Sequence, residues 1–163
     1  MPKKIARLAM LVALALVLGY VERLIPFDAP TPGVKLGLAN LVTLVALYLF
    51  GWREALAVGA LRALLGGLLY GSGFGIAYAL AGALAALGAM AALKKTGVFH
   101  PVSVSAAGGV AHNLAQLLVA VGITHTLGIL GYLPVLIGSG AATGILVGVA
   151  GSALIHRLRT DAA

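Results

Sequence analysis

Residues 33–40 read Gly33-Val34-Lys35-Leu36-Gly37-Leu38-Ala39-Asn40, a charged, glycine-bearing loop that runs straight into an apolar helix. Before it lies one long apolar segment that ends in Glu22 and Arg23. After it the chain is almost all apolar, interrupted by short polar or glycine-rich breaks. The arrangement predicts a small bundle of membrane helices, with this stretch at the outer mouth beside a ligand cavity.

The composition points the same way. Of 163 residues, 61% are hydrophobic and only 9% charged, and the mean hydropathy is +1.10. Soluble domains carry about 25% charged residues. A chain this apolar cannot cover a soluble surface, so lipid is its solvent. Six spans of about 20 residues use about 120 residues, which predicts one membrane domain over 1–163 with short loops and no appended soluble domain. The net charge of +7 comes from basic residues gathered in loops and tails. That pattern reads as membrane topology and not as a nucleic-acid surface. With no cysteine, disulfide and thiolate chemistry are excluded. Met1-Pro2-Lys3-Lys4 ahead of an apolar run resembles a signal peptide, but no small-x-small cleavage site follows at Tyr20-Val21-Glu22-Arg23. A retained first helix is expected.

The fold class expected is all-α: a polytopic bundle of six transmembrane helices, at about 5–25, 36–50, 55–70, 76–93, 102–123 and 133–155. Pro26, Pro30 and Pro32 force an extended loop after the first helix. Gly51-Trp52-Arg53-Glu54 reads as a tight interfacial turn with Trp52 as an aromatic anchor. Residues 71–75, Gly71-Ser72-Gly73-Phe74-Gly75, break the chain between the third and fourth helices. A partly apolar, re-entrant loop is expected around His125 to Tyr132. Lys3, Lys4, Arg7, Arg53, Lys94, Lys95, Arg157 and Arg159 fall on one side, and only Arg23 and Lys35 on the other. By the positive-inside rule both termini are expected in the cytoplasm, with the Pro-rich and glycine loops outside. Small residues recur every four positions, as Gly59, Ala63, Gly67 and Gly71, as Ala77, Ala81, Ala85 and Ala89, and as Gly140, Gly144 and Gly148. Such stripes let helix backbones approach closely, here within the bundle. Ala9 and Ala13 share a face of the first helix that either packs internally or meets a partner subunit.

Polar groups at membrane depth are costly unless paired, so they mark candidate sites. Arg62 lies near mid-membrane in the third helix. His112, Asn113 and Gln116 lie about as deep in the fifth and share a face. Asn40 and Thr43 share a face of the second. These groups either line one polar cavity or form an interhelical hydrogen-bond cluster around Arg62; Arg62 can also reach toward Glu54 by snorkelling. Glu22, Arg23, Asp28 and Lys35 sit at the outer mouth, where Glu22 and Arg23 are expected among lipid headgroups. The Gly71–Gly75 segment can present backbone N–H groups to an anion, though a tight turn is the simpler reading.

No catalytic residue is assigned. Asp28, Asp161, Glu22 and Glu54 are the only acidic residues, and no pair of them is spaced to hold magnesium on a diphosphate. His100, His112, His125 and His156 show no metal-ligand spacing. There is no nucleotide-binding loop, so ATP hydrolysis would belong to other subunits. No cofactor is implied.

Four segments carry a resemblance: GYVERLIP (19–26), GVKLGLANLVTLVALYLFGWREAL (33–56), RALLGGLLYG (62–71) and HNLAQLLVA (112–120). Together they resemble the small membrane proteins labelled heptaprenyl diphosphate synthase component I, also called the Gx transporter family. That family is similar to the substrate-binding S components of energy-coupling factor transporters. Such proteins are six-helix subunits that capture a vitamin or related solute from outside. They work with a membrane coupling subunit and two ATPases. The resemblance implies the same fold; on the reading of the polar residues above, Arg62, Asn40, Asn113, Gln116, His112 and Lys35 are the ligand-binding candidates for an anionic or aromatic solute, with the Pro-rich loop as a lid. It also implies Ala9 and Ala13 as the face for the coupling subunit. Prenyl diphosphate synthases themselves bind magnesium and diphosphate on aspartate-rich motifs, which this chain lacks. Nickel and cobalt S components use a histidine close to the N-terminus, where this chain has Met1-Pro2-Lys3-Lys4.

Overall fold

The computed structural model describes residues 2–24, 37–71 and 73–160. Among them are six α-helices and one 3₁₀ helix. They run α1 Pro2–Leu24, α2 Leu38–Leu49, α3 Trp52–Tyr70, α4 Gly73–Thr96, α5 Pro101–Thr124, the 3₁₀ helix Leu127–Tyr132, and α6 Leu133–Thr160. Four segments are long and apolar enough to cross a bilayer: Lys4–Leu24, Gly73–Thr96, Pro101–Thr124 and Leu127–Thr160. The chain is therefore a multi-pass membrane protein. α2, at 12 residues, reaches about 18 Å, short of the roughly 30 Å hydrocarbon core. α3 carries Arg53, Glu54 and Arg62 within its 19 residues, which sets it apart from the four apolar spans.

Several element bounds differ from the sequence expectation, for local reasons. Trp52, Arg53 and Glu54 form the first turn of α3 and not a loop, because Gly51 takes the positive φ (108°) that ends α2 and leaves the next residue free to start a helix. α4 begins at Gly73, so the break is shorter than expected, with Gly71 in extended backbone. Gly73, Phe74 and Gly75 are already helical and form the first turn of α4. The segment after α5 is not an irregular loop: His125 caps α5 in the left-handed conformation (φ 52°), and a 3₁₀ helix follows. α5 starts where the sequence places it, with His100 as N-cap accepting from the Val102 N–H and Pro101 in the first turn.

α2 occupies the middle of the packing. It contacts α1, α3 and α6 and reaches α4. Seven of its 12 residues are buried, with Leu44 and Leu47 among the most enclosed side chains. Val12 and Ala15 of α1, Val58 of α3, Met90 of α4 and Val104 of α5 complete this core.

The ends of α2 are met by charges from other helices. At its start the Gly37 and Leu38 N–H groups donate to the two Glu22 carboxylate oxygens, at 2.6 and 3.1 Å. At its end the Lys94 ammonium donates to the Leu47 carbonyl (2.6 Å) and the Arg159 guanidinium to the Tyr48 carbonyl (3.2 Å). A helix leaves four N–H and four C=O groups without internal partners, positive at one end and negative at the other. Here an anion meets the first end and two cations the second. Glu22 is thus a cap and not a headgroup contact.

The tightest packing joins α5 to α6. A Cβ on Gly144 would lie 2.7 Å from the Ala106 Cα, and one on Gly148 2.7 Å from the Val102 Cα. The four-residue glycine stripe of α6 is therefore an internal backbone-to-backbone contact. The α3 stripe is partly internal: a Cβ on Gly67 would run into Ile76 of α4. Ala77 of α4 is exposed, while Ala81, Ala85 and Ala89 are half-buried.

A Gly144→Ala substitution must push these backbones apart. Overpacking of this kind costs about 1–3 kcal/mol, and each kcal/mol lowers the midpoint by about 2–4 °C in a chain of this size. The apparent melting temperature in detergent is expected to fall by several degrees. At Gly138, with nothing within 4 Å of an added Cβ, the same change is expected to shift it by no more than about 2 °C, because only helix propensity changes there.

Candidate functional site

Five of the polar residues singled out in the sequence meet at one cavity of about 80 Å³. Asn40 reaches it from the first turn of α2, Arg62 from the middle of α3, and His112, Asn113 and Gln116 from one face of α5. Glu22 of α1 and Thr143 of α6 are the other polar residues of its described wall. Lys35, and the lid expected over Pro26 to Lys35, lie outside the described residues. Thr43 does not join the cavity wall: it is buried, with Gly59 of α3 facing its side chain.

Each α5 side chain has its own seat. The His112 ring lies against Gly82 of α4, where a Cβ would come within 2.7 Å of it. Asn113 donates from Nδ2 to the Leu136 carbonyl (2.8 Å) and reaches the Ser139 hydroxyl at 3.4 Å. Gly140 clears the space for that carboxamide, since a Cβ there would sit 2.9 Å from Nδ2. Asn113 thus ties α5 to α6 as well as lining the cavity.

Gln116 differs. It is 4% exposed, it lines the cavity, and its side chain makes no hydrogen bond to any described residue. A buried carboxamide has two donors and one acceptor oxygen to satisfy, and leaving them unmet is costly. The Asn40 side chain also lacks a hydrogen-bond partner among the described residues. The Asn40 and Gln116 side chains both border the space that Arg62 lines.

Arg62 borders this space and not Glu54. The Glu54 carboxylate is taken by the Lys4 ammonium at 2.5 Å, at the far end of α3. Eight residues separate Glu54 from Arg62, about 12 Å along a helix. Arg62 also lines a second chamber of about 170 Å³, which shares Glu22, Arg62 and Ala79 with the first. Its remaining wall is mostly glycine, including Gly66, Gly67 and Gly71 of α3 and Gly75 of α4. Sequence reasoning missed Glu22, although its carboxylate caps α2 and borders both chambers.

Chemically, the first chamber is bordered by a guanidinium, three carboxamides, an imidazole, a hydroxyl and the Glu22 carboxylate. This set suits an oxyanion with further hydrogen-bonding groups, because a guanidinium holds such a group through paired, charge-assisted bonds.

Removing the Glu22 carboxylate tests its capping role. Hydrogen bonds to charged groups are worth about 1.5–3 kcal/mol, so Glu22→Ala is expected to lower stability by about that much. Amide exchange at Gly37 and Leu38 should accelerate. Glu22→Gln retains one acceptor oxygen and should lose less; equal losses would show that the retained acceptor contributes nothing without the charge.

Comparison with known proteins adds one finding. The family model for heptaprenyl diphosphate synthase component I matches residues 11–154, which is most of the chain and includes every described cavity residue named above. No curated protein and no solved structure matches it.

Proposed function

We propose that this chain, which belongs to the heptaprenyl diphosphate synthase component I family, is the substrate-binding membrane subunit of an uptake transporter, similar to the S components of energy-coupling factor systems. In this reading six helices cross or enter the bilayer, and both termini are cytoplasmic. The Glu22 end faces outward, and an anionic small solute is captured in the cavity beside Arg62. Arg62 holds the anion; Asn40, His112, Asn113 and Gln116 orient it. Lys35 and the Pro-rich loop close over it. Hydrolysis of ATP is left to partner subunits.

The observation that carries this reading is Gln116, a residue of 4% exposure that lines the cavity Arg62 shares and makes no side-chain hydrogen bond to a described residue. A cluster built only to hold the bundle would be expected to satisfy its own members. The Ala9 and Ala13 face supports the partner half of the reading. Both residues are exposed, while Val12 and Ala15 carry the internal contact of α1. That leaves a small-residue surface on which another helix can lie closely.

The family's printed name favours a second reading, a non-catalytic membrane component that serves prenyl diphosphate synthesis. The two readings differ in what accompanies the protein. Co-purification of a membrane coupling subunit with its ATPases supports transport, and co-purification of a soluble prenyltransferase supports the second. Under the transport reading, Ala13→Leu should weaken the coupling-subunit association while leaving the melting temperature within about 2 °C, because the site is exposed.

The decisive experiment is mass spectrometry of small molecules released from protein purified in mild detergent. One defined anionic compound near one-to-one stoichiometry is expected. Arg62→Ala should reduce its occupancy at least tenfold, equivalent to about 1.4 kcal/mol, with a smaller effect on stability. Unchanged occupancy with a large stability loss would make Arg62 a structural residue.

A further inference from the structure

Beside the Arg62 cavity lies a smaller space of about 20 Å³, bordered by α2, α4, α5 and α6. Asn40 and Thr143 border both, while Ser105 of α5 borders the smaller one alone. Ala86 and Met90 of α4 and Val147 of α6 add apolar side chains, and the described wall holds no charged residue.

Ser105 is the unusual member. A helical hydroxyl commonly donates to a carbonyl one turn back. Thr124, Thr143 and Thr160 do so here, at 2.8, 2.9 and 3.0 Å. The Ser105 side chain makes no hydrogen bond to a described residue, although the residue is only 4% exposed. The Asn40 side chain makes none either. The Thr143 hydroxyl has committed its proton to the Ser139 carbonyl, so its oxygen can only accept.

Three polar groups from three helices thus border one space. Its size is that of a single water, which needs roughly 10–15 Å³ and about three polar partners. A water has two protons and two lone pairs. It can donate to the Thr143 oxygen and still bond both the Ser105 hydroxyl and the Asn40 carboxamide. A cation fits less well. The described wall offers it no carboxylate, and Asn40 lies in the first turn of α2, at the positive end of that helix.

We infer that Ser105, Thr143 and Asn40 hold one internal water, and that this water positions the Asn40 carboxamide at the edge of the ligand cavity. Ser105 is then a positioning residue. It acts on the cavity through the water and Asn40 without bordering the cavity itself. The water site stands on the three side chains alone; only its effect on a solute rests on the reading of the cavity as a ligand site.

The test uses the full chain in lipid nanodiscs, with isotopic label on asparagine nitrogen only, read by nuclear magnetic resonance. The sequence has two asparagines, and Asn113, which donates to the Leu136 carbonyl, serves as the internal reference. Magnetisation transfer from a slowly exchanging water to the Asn40 side-chain amide is expected. Ser105→Ala and Thr143→Val should each reduce that transfer severalfold and make the Asn40 amide more mobile, with the Asn113 signal unchanged. Thr143→Ser keeps the hydroxyl and should keep both the transfer and the rigidity. Melting temperatures establish that each variant is folded.

Absence of transfer in the folded wild-type chain overturns the inference. So does transfer that ignores both Ser105→Ala and Thr143→Val, because such water sits in the larger cavity. A melting temperature that rises with sodium chloride but not with choline chloride, and loses that rise in Ser105→Ala, makes the occupant a cation and overturns it too. Each of these results leaves the ligand reading standing, since that reading is decided by the released solute and its dependence on Arg62.

Discussion

A twelve-residue helix at the centre of a membrane bundle has a polarity problem. α2 is too short for its own propensity to hold it, and each of its ends leaves backbone groups without helical partners. Its terminal N–H and C=O groups must find partners in protein. α1 sends Glu22 to the first end, and α4 and α6 send Lys94 and Arg159 to the last. Three helices distant in sequence are thereby fixed in depth relative to one another. The Lys94 ammonium also lies 5.0 Å from the centre of the Tyr48 ring, so the same cation meets the aromatic face beside the carbonyl it caps. The cavity follows from this constraint, because Asn40 lies one turn inside the end that Glu22 holds.

Glu22 also joins fold and site. Its oxygens orient the start of α2, and its side chain borders both chambers next to Arg62. A carboxylate so engaged is a weaker rival to an incoming anion than a free one. The distribution of polar groups around it is uneven in a useful way. Asn113 spends a donor on the Leu136 carbonyl and holds α5 to α6, while Gln116, one turn on, lines the cavity.

Much of this was legible in the sequence, because membrane solvent makes polar residues conspicuous. Arg62, Asn40 and the His112, Asn113 and Gln116 face stand out against apolar surroundings, and helical spacing alone brings the last three together. The α6 glycine stripe likewise declares a close helix contact. What escaped notice depends on approach between distant segments. Nothing local distinguishes Glu22 from a headgroup contact, since the N–H groups it caps lie 15 and 16 residues away. Lys94 and Arg159 read as topology signals, and only packing brings them to the end of α2. The Lys4–Glu54 pair, which removes Glu54 as a partner for Arg62, is of the same kind. The start of α4 was misplaced for a different reason: glycine at 73 and 75 lowers helix propensity but does not forbid helix.

The glycine contact between α5 and α6 has a mechanical consequence. Two backbones with no side chains between them cannot slide or rotate without driving Val102 or Ala106 into the glycine notches, so these helices behave as a stator. On the opposite side α1 rests on α2 and α3, and most of its surface is exposed. Held chiefly by α2 and α3, α1 is therefore the least anchored wall of the two chambers.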